Sequence, residues 1–87
     1  MSKNYQTHRF FCLYCGKEGV PLARKQGYKH GKFHRKKLYC YHCKMDVNHI
    51  ECKSDEEAYE FKINFENGEY IDEVEESLAV IRLARQW

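Results

Sequence analysis

Short runs of polar and then apolar residues lead into each cysteine pair, and we predict β-strands there, at residues 8–12 and 36–40. Hydrophobic and polar residues alternate over residues 47–52, which predicts a third strand. In the third segment the alternation puts Ile50 and Cys52 on one face. Residues 19–23 are predicted to return as an edge strand, because Pro21 has no N–H to donate to a ladder. The first half therefore predicts a small antiparallel β-structure.

The pattern changes to helical spacing after residue 53. Ser54 is suited to cap a helix, with Glu57 three residues later in a capping box, and Asn67 and Gly68 form a stop signal. Residues 59–65 also alternate, so a strand that pairs with the first half is an alternative for this segment.

A second helix is predicted over residues 72–86. Its apolar surface includes Leu78, Ile81 and Trp87. These side chains are predicted either to pack against the rest of this small chain or to dock in a groove of a protein partner. No apolar run approaches the roughly 20 residues of a membrane span, so we expect no membrane association.

Four cysteines form two C-x-x-C pairs: Cys12, Cys15, Cys40 and Cys43. Four thiolates at this spacing are typical of a closed, structural Zn²⁺ site, and iron is the alternative metal for such a shell. Disulfides are disfavoured because the N-terminus does not resemble a secretory signal, and neither pair has the βαβ setting of a redox dithiol. The fifth cysteine, Cys52, is predicted to be a buried hydrophobe.

The order F-F-C-L-Y-C-G, a basic spacer, L-Y-C-Y-H-C-K and an alternating strand resembles a zinc ribbon over residues 8–53. The resemblance implies β-hairpins that clamp zinc, and hence a small α+β zinc-binding domain with two short helices after the ribbon. We divide the chain into a basic zinc-ribbon module, residues 1–53, and an acidic helical C-terminal arm, residues 54–87, packed on it. The whole also resembles small ribbon proteins of phages and mobile elements.

Charge is divided sharply along these 87 residues, although the net charge is only +2. The ribbon module has 12 Lys and Arg against 3 Asp and Glu, whereas the arm has 3 against 10. The division indicates a basic module that faces a ligand and an acidic arm. The alternative is that the two charged surfaces attract each other within the fold.

The spacer between the cysteine pairs is rich in cations and aromatic rings. Lysine and arginine neutralise phosphates, and flat rings such as Tyr28 and Phe33 stack on unpaired bases. We predict nucleic-acid contacts, with single strands or RNA slightly favoured, by Arg24, Lys25, Tyr28, Lys29, His30, Lys32, Phe33, His34, Arg35, Lys36 and Lys37. The alternative is a solvated hairpin tip. His8 and His42 flank the cysteines, but four thiolates already satisfy zinc.

The sequence has no recognisable acid/base pair, catalytic triad or phosphate-binding glycine loop, so we expect no enzyme and no small-molecule substrate. The leading hypothesis is a cytoplasmic zinc-ribbon protein that binds nucleic acid or a nucleoprotein machine, as a transcription- or phage-related adaptor. The alternative is a phage-encoded inhibitor or regulator whose acidic arm occupies a basic channel of a host protein.

Overall fold

The structure is a computed structural model that describes residues 5–25 and 31–85, with side chains described up to residue 80. Four strands precede two helices: β1 Tyr5–Cys12, β2 Leu22–Lys25, β3 Arg35–Cys40, β4 Met45–Cys52, α1 Asp55–Glu66 and α2 Ile71–Arg85. The predicted small α+β class is therefore confirmed.

The strands form one antiparallel sheet in the order β2-β1-β4-β3. In the central pair, Phe11 of β1 lies opposite Ile50 of β4. The β3–β4 hairpin places Leu38 opposite Val47. The sheet is curled. The curl brings its two edge strands close together, so that Leu22 of β2 and Leu38 of β3 line one groove.

The hydrophobic core lies between one face of the sheet and α1. The ring of Phe61 in α1 stacks on Phe11, with 5.2 Å between the ring centroids. Ile50, Cys52 and Ala58 are buried in the same cluster. The prediction that Cys52 shares the face of Ile50 and is buried is therefore confirmed, and the acidic arm packs on the sheet through this core.

The helix signals around α1 are confirmed. The N–H of Glu57 donates to Ser54 Oγ at 3.2 Å, while Glu57 Oε1 accepts from the N–H of Lys53 at 3.0 Å. The helix ends at Glu66, and Gly68 adopts a φ of 76° beyond it. The alternative strand at residues 59–65 is wrong, because the cap and the burial of Ala58 and Phe61 on one helix face favour the helix.

The second helix, α2, begins at Ile71, one residue before its predicted start. Leu78 is half-buried, and Val80 is exposed. Two of the predicted interaction side chains, Ile81 and Trp87, lie outside the described side chains. Within the described residues, no helix is long and apolar enough to cross a membrane.

The second strand differs from its predicted position. The structure places β2 at Leu22–Lys25 instead of residues 19–23, so Arg24 and Lys25 also belong to this strand. The N–H of Gly19 donates to the Phe10 carbonyl at 2.8 Å, and Glu18 forms a single bridge with Phe11. The continuous ladder between β2 and β1 begins only at Leu22, after Pro21. Tyr28, Lys29 and His30 lie outside the described residues.

Candidate metal centre and its surroundings

The four cysteines of the two C-x-x-C pairs meet in one cluster. Their sulfur atoms all lie within 4.8 Å of one another, with 3.8 Å between Cys12 and Cys43 and 3.6 Å between Cys15 and Cys40. These separations are too long for disulfide bonds, which are about 2.05 Å. A tetrahedron with metal–sulfur distances of about 2.3 Å has edges of about 3.8 Å, so the cluster can hold a metal ion.

The two cysteine turns have the same backbone geometry. In the first, the N–H of Gly16 donates to the Cys12 carbonyl at 2.8 Å, and in the second the N–H of Lys44 donates to the Cys40 carbonyl at 2.7 Å. Both donors have a positive φ, 75° for Gly16 and 56° for Lys44. The sequence predicts this conformation for Gly16. At Lys44 it was not predicted, and it costs about 1–2 kcal/mol for a residue with a Cβ.

Backbone N–H groups point at the sulfur atoms. The N–H of Tyr14 donates to Cys12 Sγ at 3.3 Å, and the N–H of Cys43 donates to Cys40 Sγ at 3.4 Å. Such bonds stabilise thiolates, which are the form that binds metal. Strands position the first cysteine of each pair, because β1 ends at Cys12 and β3 ends at Cys40.

The crowded thiols differ in their affinity for protons. Burial raises the pKa of Cys12 above its usual range and that of Cys43 to about 11. Burial also opposes ionisation of Cys40, but donation from backbone N–H groups and neighbouring thiols outweighs it and lowers the pKa to about 7. A coordinated metal ion would deprotonate all four thiols.

The two histidines beside the cysteine turns lie outside the sulfur cluster. His8 is fully buried and hydrogen-bonds through Nδ1 to a carboxylate oxygen of Glu51. His42 is exposed, with its Nδ1 3.5 Å from Lys17 Nζ. The candidate ligand set is therefore the four cysteines, as the sequence predicts.

Glu51 is a buried carboxylate that the sequence analysis did not single out. It accepts from Arg24 Nε at 3.1 Å in addition to its bond with His8. Burial alone would raise the pKa of Glu51, but the His8 and Arg24 hydrogen bonds outweigh it and hold the pKa below its usual range. Arg24, predicted to contact phosphate, is thus bound to a carboxylate inside the fold.

Two further cations of the spacer form ion pairs with the acidic arm. Lys32 Nζ lies 2.8 and 3.0 Å from the carboxylate oxygens of Glu60, and this raises the pKa of Lys32. Arg35 makes two hydrogen bonds to Glu73, at 2.9 and 3.1 Å, which raise its pKa. Phe33, predicted to stack on bases, is half-buried against the core with a φ of 57°.

Other cations on the ribbon module have no carboxylate partner among the residues that the structure describes: Lys17, Lys25, Lys36, Lys37 and Lys44. Three of them were predicted to contact nucleic acid, and Lys17 and Lys44 were not. His34, also predicted, is half-buried, and its carbonyl accepts the N–H of Glu51 at 2.9 Å. The unpaired charge therefore lies along β2, β3 and the cysteine turns.

Two exposed tyrosines lie at the end of β3 and in the second cysteine turn. The ring centroids of Tyr39 and Tyr41 are 5.0 Å apart, with an edge-to-face angle of 74°. The alternating order L-Y-C-Y is the sequence signal for them, whereas the predicted stacking residues are Tyr28 and Phe33.

The four-cysteine cluster beside the ends of β1 and β3 is the feature that this chain shares with zinc ribbons. Its residues are Cys12, Cys15, Cys40 and Cys43. No family model, curated protein or solved structure matches the chain.

Proposed function

We propose that the four-cysteine cluster binds one Zn²⁺ ion and that this ion has a structural role. Support comes from the donor set, four thiols with separations close to the edges of a zinc–thiolate tetrahedron. Four protein ligands leave no position for a substrate or water, which is typical of structural sites. The five free thiols fit a reducing compartment, so we propose a cytoplasmic location.

We propose further that the chain is a non-enzymatic protein that binds nucleic acid, alone or within a nucleoprotein machine. The observation that carries this proposal is the group of ribbon lysines without carboxylate partners among the described residues. Lys36 and Lys37 lie in β3. Lys44 adjoins the cysteine turn at the end of β3, and Lys17 adjoins the one at the end of β1. Lysines in such an arrangement neutralise phosphates and release counterions.

The acidic arm limits which part of the ribbon can bind. Glu60 and Glu73 engage Lys32 and Arg35, so the arm competes with phosphate for the spacer cations. The proposed binding surface is therefore the side of β3 and the cysteine turns, and Lys32 and Arg35 contribute less to it. We name this surface, Lys17, Lys36, Lys37 and Lys44, the basic edge.

The test is the salt dependence of binding by the full, zinc-loaded chain. Fluorescence anisotropy would compare single-stranded RNA, single-stranded DNA and duplex DNA between about 50 and 200 mM salt. Replacing Lys36 and Lys44 by Gln should reduce the slope of log K against log salt by about 0.7–0.9 for each cation. Lys62→Gln removes an exposed lysine of α1 as the matched control. Equal slopes for all variants would contradict binding through the basic edge.

A second candidate function is inhibition or regulation of a protein by the acidic arm. It is favoured by exposed acids of the arm that have no cationic partner among the described residues: Glu56, Glu66, Glu69, Asp72, Glu75 and Glu76. Such an arm would complement a basic nucleic-acid channel on a host protein. Capture of a partner from nuclease-treated lysate, lost when Glu69 and Glu76 become Gln, would favour this candidate over nucleic-acid binding.

A further inference from the structure

A groove opens between the two edge strands of the curled sheet. Its volume is about 170 Å³, and it is lined by Val20, Leu22, Leu38, Tyr39, Tyr41 and His49. Aliphatic side chains of β2 and β3 form its walls, and the buried ring of His49 lies among them. The groove is therefore apolar inside and bounded by aromatic rings at the end near the cysteine turn.

The aromatic rings at this groove are unusually exposed. Tyr41 is 73% exposed and Tyr39 is 48% exposed, although Tyr39 belongs to β3 and Tyr41 follows directly after it. A tyrosine side chain has only two rotatable χ angles, so little side-chain freedom is lost when a flat partner binds. In the helical arm, Tyr59 is comparably exposed at 69% and does not line this groove, so it provides a matched comparison.

Positive charge adjoins the groove. A second hollow of about 430 Å³ shares Val20 and Tyr41 with it and is also lined by Lys17 and His42. At the other end, Lys36 lies on the same face of β3 as Leu38, since residues two apart in a strand point to the same side.

The one acidic residue that lines the second hollow does not offset this charge. Glu18 accepts two hydrogen bonds from Arg9, both at 2.9 Å, and the Arg9 hydrogen bonds lower the pKa of Glu18. The guanidinium of Arg9 therefore already neutralises it. What remains around the groove is an aromatic and apolar site with unpaired lysines on two sides.

We infer that this groove binds one unpaired base of a single-stranded nucleic acid, with the base stacked on Tyr41. Phosphates on either side of that base would contact Lys17 and Lys36. This inference rests on the proposed nucleic-acid binding and assigns it a base-contacting site. An unpaired base fits the combination of a flat apolar face and adjacent negative charge, whereas a duplex keeps its bases stacked and unavailable.

The experiment uses the full, zinc-loaded chain and oligomers of about eight nucleotides, within the usual size range for single-strand sites. The ligands are oligothymidylate, oligouridylate, an abasic oligomer with the same deoxyribose-phosphate backbone, and a duplex. Tyr41→Ala should weaken binding of both base-carrying single strands at least about fivefold, the loss expected when one base no longer stacks. Tyr41→Phe should retain binding because the ring is kept, and Tyr59→Ala should leave it unchanged.

Two controls separate the base site from the phosphate contacts. The abasic oligomer should bind more weakly than oligothymidylate and should be insensitive to Tyr41→Ala. The salt slope should be the same for the wild type and Tyr41→Ala, because no cation is removed. Comparison of oligothymidylate with oligouridylate tells whether the sugar contributes to binding. Stacking on Tyr41 is expected for both oligomers.

Specific outcomes overturn the inference. If the abasic oligomer binds as tightly as oligothymidylate, or if Tyr41→Ala and Tyr59→Ala have equal effects, the groove is not a base site. The proposed binding to phosphates through the basic edge would then still stand. If no oligomer or duplex binds to the wild-type chain, both the inference and the proposed function are wrong.

Discussion

Arg35 in β3 donates two hydrogen bonds to the carboxylate of Glu73 in α2, at 3.1 Å from Nε and 2.9 Å from a terminal nitrogen. Lys32 and Glu60 make a similar contact between the spacer and α1. These side chains are about one third to one half exposed, so solvent screens both pairs and each contributes little to stability. The main effect of these ion pairs is to neutralise positive charge, because each carboxylate binds a cation that phosphate could otherwise contact.

We therefore expect removal of these carboxylates to strengthen nucleic-acid binding. In the double variant Glu60→Gln and Glu73→Gln, Lys32 and Arg35 are released, so the salt slope should become steeper by about 0.7–0.9 for each cation that gains a phosphate contact. Anisotropy titrations at several salt concentrations would measure this.

The control for this variant is Glu69→Gln with Glu76→Gln, which changes the net charge equally at exposed positions without ion pairs among the described residues. This control variant should raise the affinity for nucleic acid only weakly, because salt screens the interactions of exposed charges beyond a Debye length of about 8–10 Å. If both double variants raise affinity equally, the effect is one of net charge and the specific pairs have no role.

Local sequence signals predicted most of the elements. The C-x-x-C spacing predicts the two turns, and the Ser54 and Glu57 capping box predicts the start of α1, because each depends on residues a few positions apart. The alternation of residues 47–52 predicts β4 and the burial of Cys52. Each of these features depends on residues that are close together in the chain, so it can be predicted from the sequence.

Contacts between distant positions were not predictable in the same way. His8 and Glu51 are 43 residues apart, and Lys32 and Glu60 are 28 apart, so no local pattern pairs them. Phe33 looks like an exposed loop aromatic in the sequence, but its positive φ accompanies a ring packed against the core. The pairing of β1 with β4 brings His8 beside Glu51, and strand order is a property of the whole chain.

The metal centre gives a second prediction. Purified protein should contain one zinc per chain, and Cys40→Ser should lower the zinc content and the midpoint of thermal unfolding, because metal affinity and folding free energy are linked. Chelation should destabilise the wild type in the same way. Elemental analysis and thermal melts with and without chelator would measure both effects. Full stability after chelation would contradict a structural metal.

Cys52→Ala is the control for that experiment, since Cys52 is a buried thiol in the helix-facing core outside the metal cluster. Zinc content should be unchanged. Burial raises the pKa of Cys52 to about 12, so its thiolate is scarce at neutral pH and a thiol reagent should modify it slowly in the folded protein. Rapid modification of Cys52 in the zinc-loaded chain would contradict its burial.

The packing of the arm gives a third prediction. Phe61 is fully buried between Phe11 and Tyr70, with ring centroids 5.2 and 5.4 Å away. Phe61→Ala should lower the free energy of unfolding by about 3–5 kcal/mol, from lost burial and the cavity left behind. Urea unfolding of the zinc-loaded protein would measure this loss.

Phe61→Leu keeps most of the side-chain volume, so it should lower the free energy of unfolding clearly less than Phe61→Ala does. Its unfolding can therefore be measured even if the alanine variant does not fold. Tyr59→Ala, in the same helix but exposed, should change the free energy by no more than about 0.5 kcal/mol. Equal losses for the Phe61 and Tyr59 variants would mean that α1 does not pack on the sheet through this ring.

The last prediction concerns pH and the buried carboxylate of Glu51. Its pKa is lower in the folded chain than in the unfolded chain, so ionised Glu51 stabilises the fold above its unfolded pKa of about 4.3. This stabilisation is lost as the pH falls from that value through the folded pKa. Glu51→Gln cannot ionise and removes the buried negative charge of the ion pair with Arg24, so near pH 7 it should cost about 3 kcal/mol.

The difference in unfolding free energy between the wild type and Glu51→Gln should therefore narrow as the pH falls below about 5. Urea unfolding at several pH values would measure it, with Glu66→Gln as an exposed carboxylate control whose difference from the wild type should stay small throughout. Loss of metal at low pH affects both proteins through the same four thiols, so the metal contribution cancels in the difference. A difference that stayed constant as the pH fell to about 4 would mean that Glu51 has an ordinary pKa in the fold.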